Sequence, residues 1–229
     1  VADTVWADVN EHLGVLVDDS YPGRWISARV NDGTYHDKMW PGVDAWLHTR
    51  RGRRLYGYFA YLVWPRSEGA CSWLEAVDTF RDSLSNRHRR RLVIMQDVEH
   101  WGRPDLIADF SNGLEAQRGH LVDWLHSLRP AWQRRGLLAG WYRDRDERRV
   151  IGYGNAGDLV TMASHVKWRS IILASFTSDE PTHPIHVGWQ FTDHGRMPPW
   201  TSVDLNVAHV GPRRLAAVLG LGRLTWVLK

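Results

Sequence analysis

The chain has 229 residues, 43% of them hydrophobic, which is enough for one large α/β domain with a sizeable core. No apolar run is long enough to span a bilayer and no charged-then-apolar leader opens the chain, so neither membrane insertion nor a signal peptide is expected; the Val1 start is that of a processed protein or of a domain cut from a longer one. A single cysteine, Cys71, excludes an internal disulfide framework and a Cys-based zinc site, and a net charge of only +3 argues against a polyanion binder such as a nucleic-acid protein.

Apolar runs bounded by turn residues predict strands at Thr4–Val9, Trp25–Val30, Leu55–Val63, Leu92–Val98, Arg149–Tyr153, Ser170–Ser175, His186–Gln190 and a short Val203–Leu205. Helical periodicity is expected over Lys38–Thr49, Cys71–Leu84, Asp109–Leu128, Asp158–His165 and Pro212–Leu219. The third of these is the clearest, with Leu114, Leu121, Leu125 and Leu128 on one face. Pro212 suits the first turn of the last helix and Gly220 its end. Alternating strand and helix implies a parallel sheet, and this many strands over this length suggest a closed barrel, with little helix among the last three. No linker or repeat interrupts the pattern, so a single domain over residues 1–229 is expected.

Several motifs suggest other chemistries. Arg50-Arg51-Gly52-Arg53-Arg54 and His88-Arg89-Arg90-Arg91 read as solvated loops between elements, with a mild pull toward an anionic polymer such as a cell wall. Gly152-Tyr153-Gly154-Asn155-Ala156-Gly157 matches a dinucleotide fingerprint but lies mid-chain, so it reads as a tight strand-to-helix turn and no cofactor is expected. Twelve histidines show no zinc-protease spacing, so no metal is expected, and no serine-hydrolase elbow or P-loop is present. The fourteen tryptophans fill core or offer flat faces to sugar rings, Trp64, Trp101 and Trp189 being candidates for the second role.

Asp97-Val98-Glu99 closes the strand Leu92–Val98. Alternation points the two carboxylates the same way, about 6–7 Å apart. Crowding of this kind holds one acid protonated, and a proton donor beside an anion is what glycosidic cleavage needs; solvated charge past a strand end is the alternative. Barrel enzymes carry their chemistry at the carboxyl ends of the strands. Asp8 ends the first strand and Asp204 lies in the last, so four acids distant in sequence are expected at one mouth.

With the acids so placed, the chain resembles glycoside hydrolase family 25, the Chalaropsis-type lysozymes common among bacteriophage endolysins. Asp8-Val9-Asn10 is similar to the family's opening Asp-Val-Ser, and Asn31-Asp32-Gly33-Thr34-Tyr35 to its second-strand segment. Asp97-Val98-Glu99 fits its acid pair, and Trp189-Gln190-Phe191-Thr192, Gly195-Arg196 and Val203-Asp204-Leu205-Asn206 its closing pattern. Asp18-Asp19-Ser20-Tyr21-Pro22 and the arginine richness look like the branch in actinobacterial phages.

The resemblance implies a single irregular TIM-like α/β barrel of eight strands and about five helices, (β/α)5(β)3. It implies metal- and cofactor-free cleavage of the β-1,4 bond between N-acetylmuramic acid and N-acetylglucosamine in peptidoglycan, for host wall lysis. Glu99 would be the general acid. Asp97 would stabilise the developing positive charge, or orient the substrate acetamido group as an internal nucleophile. Asp8 and Asp204 would complete the acidic mouth and keep Glu99 protonated, with Gln190 among the substrate-binding residues. One departure is that Phe59 stands where the family has an active-site tyrosine; Tyr61, on the same face, is expected to supply the hydroxyl instead. The partner would be peptidoglycan glycan strands and the protein a monomer, alone or as part of a modular endolysin, made in the host cytoplasm and released to the wall through a holin pore. A catalytically dead, glycan-binding barrel and a glycosidase on another N-acetylated polymer such as chitin are the alternatives.

Overall fold

The computed structural model describes residues 2–64, 72–84, 90–98 and 107–221, with 107–111 as backbone alone. The strands are β1 (Thr4–Val9), β2 (Ser27–Asp32), β3 (Tyr35–His36), β4 (Tyr58–Val63), β5 (Leu92–Val98), β6 (Val150–Asn155), β7 (Ile171–Ala174), β8 (His186–Met197) and β9 (Trp200–Ala208). They form one sheet in the order β1-β9-β8-β7-β6-β5-β4-β2-β3, and a further pairing of β1 with β2 closes it. Neighbours from β1 round to β8 run parallel, β9 is antiparallel between β8 and β1, and the two-residue β3 hangs on β2 outside the ring. The result is the expected α/β architecture, a closed eight-stranded TIM-like barrel flanked by helices.

The helices are α1 (Trp40–Leu47), α2 (Trp73–Ser83), α3 (Ile107–Ser127), α4 (Ala131–Arg135), α5 (Ala139–Glu147), α6 (Ala156–Met162) and α7 (Pro212–Val218). Five match the sequence periodicity, and α2 starts on a capping box in which Ser72 Oγ accepts from Glu75 N–H (3.2 Å) and Glu75 accepts from Ser72 N–H (2.6 Å). Two helices, α4 and α5, exceed the expectation. Neither has an apolar stripe: α4 buries nothing, and α5 buries only Tyr142 and Asp146. Charge holds α5 in place. Asp146, fully buried, takes two 2.6 Å hydrogen bonds from Arg129 and lies 3.1 Å from His126 and 3.7 Å from Arg149. Burial pulls the Arg149 guanidinium down to about 10. This cluster ties the end of α3 and the whole of α5 to the start of β6.

The late strands are also longer than expected. β8 and β9 form a hairpin turning at Pro198–Pro199, with Met197 paired to Trp200. Polar residues on their solvent side shorten the apolar pattern visible in the sequence.

Strand alternation sorts the core into two layers. Tyr58, Ala60, Leu62, Leu92 and Ile94 face the helices, whereas Phe59, Tyr61, Val63, Val93 and Met95 fill the barrel. Leu215, Ala216 and Leu219 of the α7 segment pack on the same interior cluster, and Trp25 Nε1 donates to the Pro212 carbonyl (3.2 Å). α7 therefore plugs the barrel at the amino ends of its parallel strands. Gly220, in the left-handed region at φ 72°, ends that segment as the sequence suggested. The opposite end is left for chemistry.

The glycine motif at 152–157 is not a turn. Gly152 and Gly154 lie within β6, where an added Cβ would sit 2.8 Å from the Trp168 ring and 2.2 Å from the Val98 carbonyl oxygen. Close lateral packing explains these glycines, and only Gly157 enters α6.

Candidate active site

Aromatic rings make the floor of the barrel. Phe59 stacks between Trp6 (5.4 Å between centroids) and Trp25 (5.1 Å), and Trp6 Nε1 donates to Ser27 Oγ at 2.8 Å. Phe59 thus serves as packing, which accounts for a residue without a hydroxyl at that position. One step along the same face, toward the carboxyl end of β4, Tyr61 hydrogen-bonds Asp8.

Asp8 and Asp204 are direct cross-strand partners in β1 and β9. Burial pushes the Asp8 carboxyl well above the usual carboxylate range and the neighbouring Asp204 pushes it further, while the Tyr61 hydrogen bond and the Arg29 charge pull it back. Asp8 Oδ1 is buried with no hydrogen-bond partner among the described residues. Burial, reinforced by the negative charges of Asp8 and Asp97, raises the Tyr61 hydroxyl well above the tyrosine range, so it stays protonated and donates. Asp97, 8% exposed on β5, pairs in register with Val63 of β4 and Tyr153 of β6. Asp8 thus feels Asp204 directly, and Asp8 and Asp97 both act on Tyr61, which links three of the four acids named from the sequence. Glu99 and Trp101 lie outside the described residues.

Gln190 is buried on β8 and accepts a hydrogen bond from the Tyr153 hydroxyl across the β6–β7–β8 side of the interior. Trp64 and Trp189 stand elsewhere. Trp64 follows β4 with its ring against Gly113 of α3, and Trp189 alternates with Gln190 and donates from Nε1 to the Ser175 carbonyl at 2.6 Å.

The sequence reading passed over Arg29 and Tyr153. Arg29, buried on β2, donates from Nε to Asp37 at 2.8 Å and reaches Glu11 at 3.4 Å. Glu11 in turn accepts from the Tyr35 hydroxyl (2.8 Å) and the Lys38 N–H (3.3 Å), and Asp37 from the Glu11 N–H (3.1 Å). These contacts brace the β1 and β2 ends of the mouth and put a fixed cation beside Asp8. An arginine inside an otherwise apolar strand was the available signal. For Tyr153 the signal was hidden by the glycines on either side of it. Among the described residues, no three His, Cys, Asp or Glu side chains are grouped to hold a metal ion.

No family model matches the chain. It is 30% identical to the uncharacterized protein Rv3766 of Mycobacterium tuberculosis over 241 aligned positions, covering 96% of this chain and 75% of that protein. The chain belongs to the Rv3766 family. Solved structures extend the likeness at the level of fold. The catalytic domain of endolysin ply40 from bacteriophage P40 of Listeria monocytogenes superposes with a TM-score of 0.63 at 15% identity, over 96% of this chain and 98% of that one. A bacterial lysozyme from Streptomyces coelicolor gives 0.60 at 19%, with 96% and 98% covered. A muramidase from Acremonium alcalophilum gives 0.60 at 12%, with 95% and 99% covered. This member of the Rv3766 family therefore has the barrel of lysozyme and endolysin catalytic domains.

Proposed function

We propose that the chain is a glycoside hydrolase of the family 25 type, cleaving the β-1,4 bond between N-acetylmuramic acid and N-acetylglucosamine in peptidoglycan. The observation that carries this reading is the pair of acids Asp8 and Asp204 opposed across β1 and β9, with Asp97 and Tyr61 buried on the same interior, in a barrel plugged at its other end. Buried carboxylates cost folding free energy, and a set of them turned toward one opening is an arrangement suited to a cationic transition state.

In this reading Glu99, two residues beyond Asp97 in the sequence, protonates the leaving oxygen. Asp97 offsets the positive charge growing at the anomeric carbon, directly or by orienting the acetamido carbonyl as the attacking group. The negative potential of Asp8 and Asp204 favours the protonated form of Glu99 before reaction. Tyr61 holds Asp8, and Arg29 limits the excess negative charge. Gln190 and Tyr153 offer a rigid polar wall to the sugar ring. The whole chain acts as one catalytic domain on glycan strands outside the membrane, as a monomer, after holin-type release.

Release of reducing ends from purified peptidoglycan tests the proposal. Wild-type protein should generate them, and Glu99→Gln should generate none while keeping the wild-type circular dichroism spectrum. Near-normal release by that variant would remove Glu99 from its role and the mechanism with it.

A further inference from the structure

The arginine run at 50–54 lies far from this mouth and is better built than a solvated loop. Thr49 Oγ1 accepts the Gly52 N–H at 3.1 Å, and Gly52–Arg54 forms a single 3-10 turn. Gly52 is pressed so closely on α1 that an added Cβ would lie 2.3 Å from the Trp46 carbonyl oxygen. Arg91, from the second arginine run, donates to the Gly52 carbonyl at 2.6 Å and the Leu47 carbonyl at 3.3 Å. Arg91 is therefore a brace, and its burial lowers its pKa. The backbone that carries the arginines is thus fixed against the amino ends of β4 and β5.

Arg50, Arg51 and Arg54 line one cavity of about 360 Å³ together with Asp19. Arg51 spends Nε (3.1 Å) and Nη2 (2.5 Å) on the Tyr21 carbonyl, which sets the plane of its guanidinium. The guanidinium groups of Arg50 and Arg54 have no hydrogen-bond or ion-pair partner among the described residues, and the Arg54 N–H donates to the Arg51 carbonyl at 2.9 Å. Asp19 accepts from Trp46 Nε1 at 3.3 Å and forms no ion pair with any of the three among the described residues. Three cations thus border an open space that the one carboxylate beside them, Asp19, does not neutralise. Guanidinium groups match the oxygens of a phosphoryl group in pairs, and one carboxylate ligand would need only one of them. The groove is open to solvent and admits more than a bare phosphate.

We propose that this cavity is a second binding site, specific for the phosphoryl group of a phosphorylated saccharide. It lies at the amino end of the barrel, opposite the acidic mouth; recognition of the phosphoryl group stands on the arginines alone, and the choice of a saccharide rests on the proposed hydrolase function. A phosphorylated glycan held there would anchor the protein while the mouth stays open to another strand.

Isothermal titration with N-acetylglucosamine 6-phosphate, N-acetylglucosamine and inorganic phosphate tests it. One saturable site is expected for the sugar phosphate, with affinity at least tenfold above inorganic phosphate and no binding of the neutral sugar. The double variant R50A/R54A changes two exposed side chains that make no hydrogen bond or ion pair among the described residues. It should lose at least tenfold in that affinity while its reducing-end release on peptidoglycan stays at the wild-type level. Unchanged affinity in the double variant, equal affinity for inorganic phosphate, or tighter binding of a short oligonucleotide would each overturn the proposal.

Discussion

Replacing Asp8 by Asn should stabilise the protein at neutral and alkaline pH. Asp8 and Asp204 are paired residues of adjacent antiparallel strands, whose Cβ atoms lie about 5 Å apart, and that spacing is taken for the two charges. Two ionised groups at that separation repel by about 3 kcal/mol at the effective dielectric typical of protein interiors. Asn keeps the shape and still accepts from the Tyr61 hydroxyl, but that bond loses its charge-assisted part, about 1 kcal/mol. The net gain is about 2 kcal/mol, or about 4–8 °C in Tm for a chain of this size. The sign follows from linkage. The folded-state pKa of Asp8 is raised, so the native protein binds the proton more tightly than the unfolded chain does. The stability this contributes is complete below the unfolded carboxylate pKa and is lost as pH rises through the folded value. Asp8→Asn should therefore match wild type near pH 3.5 and exceed it at pH 8. Thermal melts followed by circular dichroism across that range give the comparison. A variant equal to or less stable than wild type at pH 8, or one stabilised equally at both ends, would show that the Asp8 charge does not cost the fold stability.

Tyr61→Phe keeps the ring among Phe59, Val63 and Met95 but removes the hydrogen bond that lowers the Asp8 pKa. The Asp8 titration, followed by carboxyl-carbon NMR, should move to higher pH, and glycan cleavage should fall about tenfold, the loss of one hydrogen bond to a charged group. Asp146→Ala strands the Arg129, Arg149 and His126 side chains around an empty carboxylate position. It should cost about 3–5 kcal/mol, a fall in Tm of about 6–20 °C, read by calorimetry, with no change in the chemistry at the far end of the barrel.

The parts of the fold governed by apolar pattern were legible in the sequence. β1 and β5 match their expected bounds, and the alternation that put Tyr61 on the face of Phe59 holds in the barrel. What the sequence concealed was packing without an apolar signature. α5 is held by an Asp146 ion cluster, so no periodicity marks it. Gly152 and Gly154 make room for Trp168 and for the Val98 carbonyl, a constraint visible only when β5, β6 and the Trp168 segment meet. The acids could be named because strand ends are readable. Arg29 could not, because its partners Asp37 and Glu11 come from separate turns that only folding brings together.

The central claim is the bond that is cut. Mass spectrometry of muropeptides from a digest of purified peptidoglycan identifies it directly. Disaccharide fragments ending in reducible N-acetylmuramic acid are expected from wild type and not from Glu99→Gln. Fragments ending in N-acetylglucosamine, cleavage in the peptide stems, or no cleavage at all would contradict it.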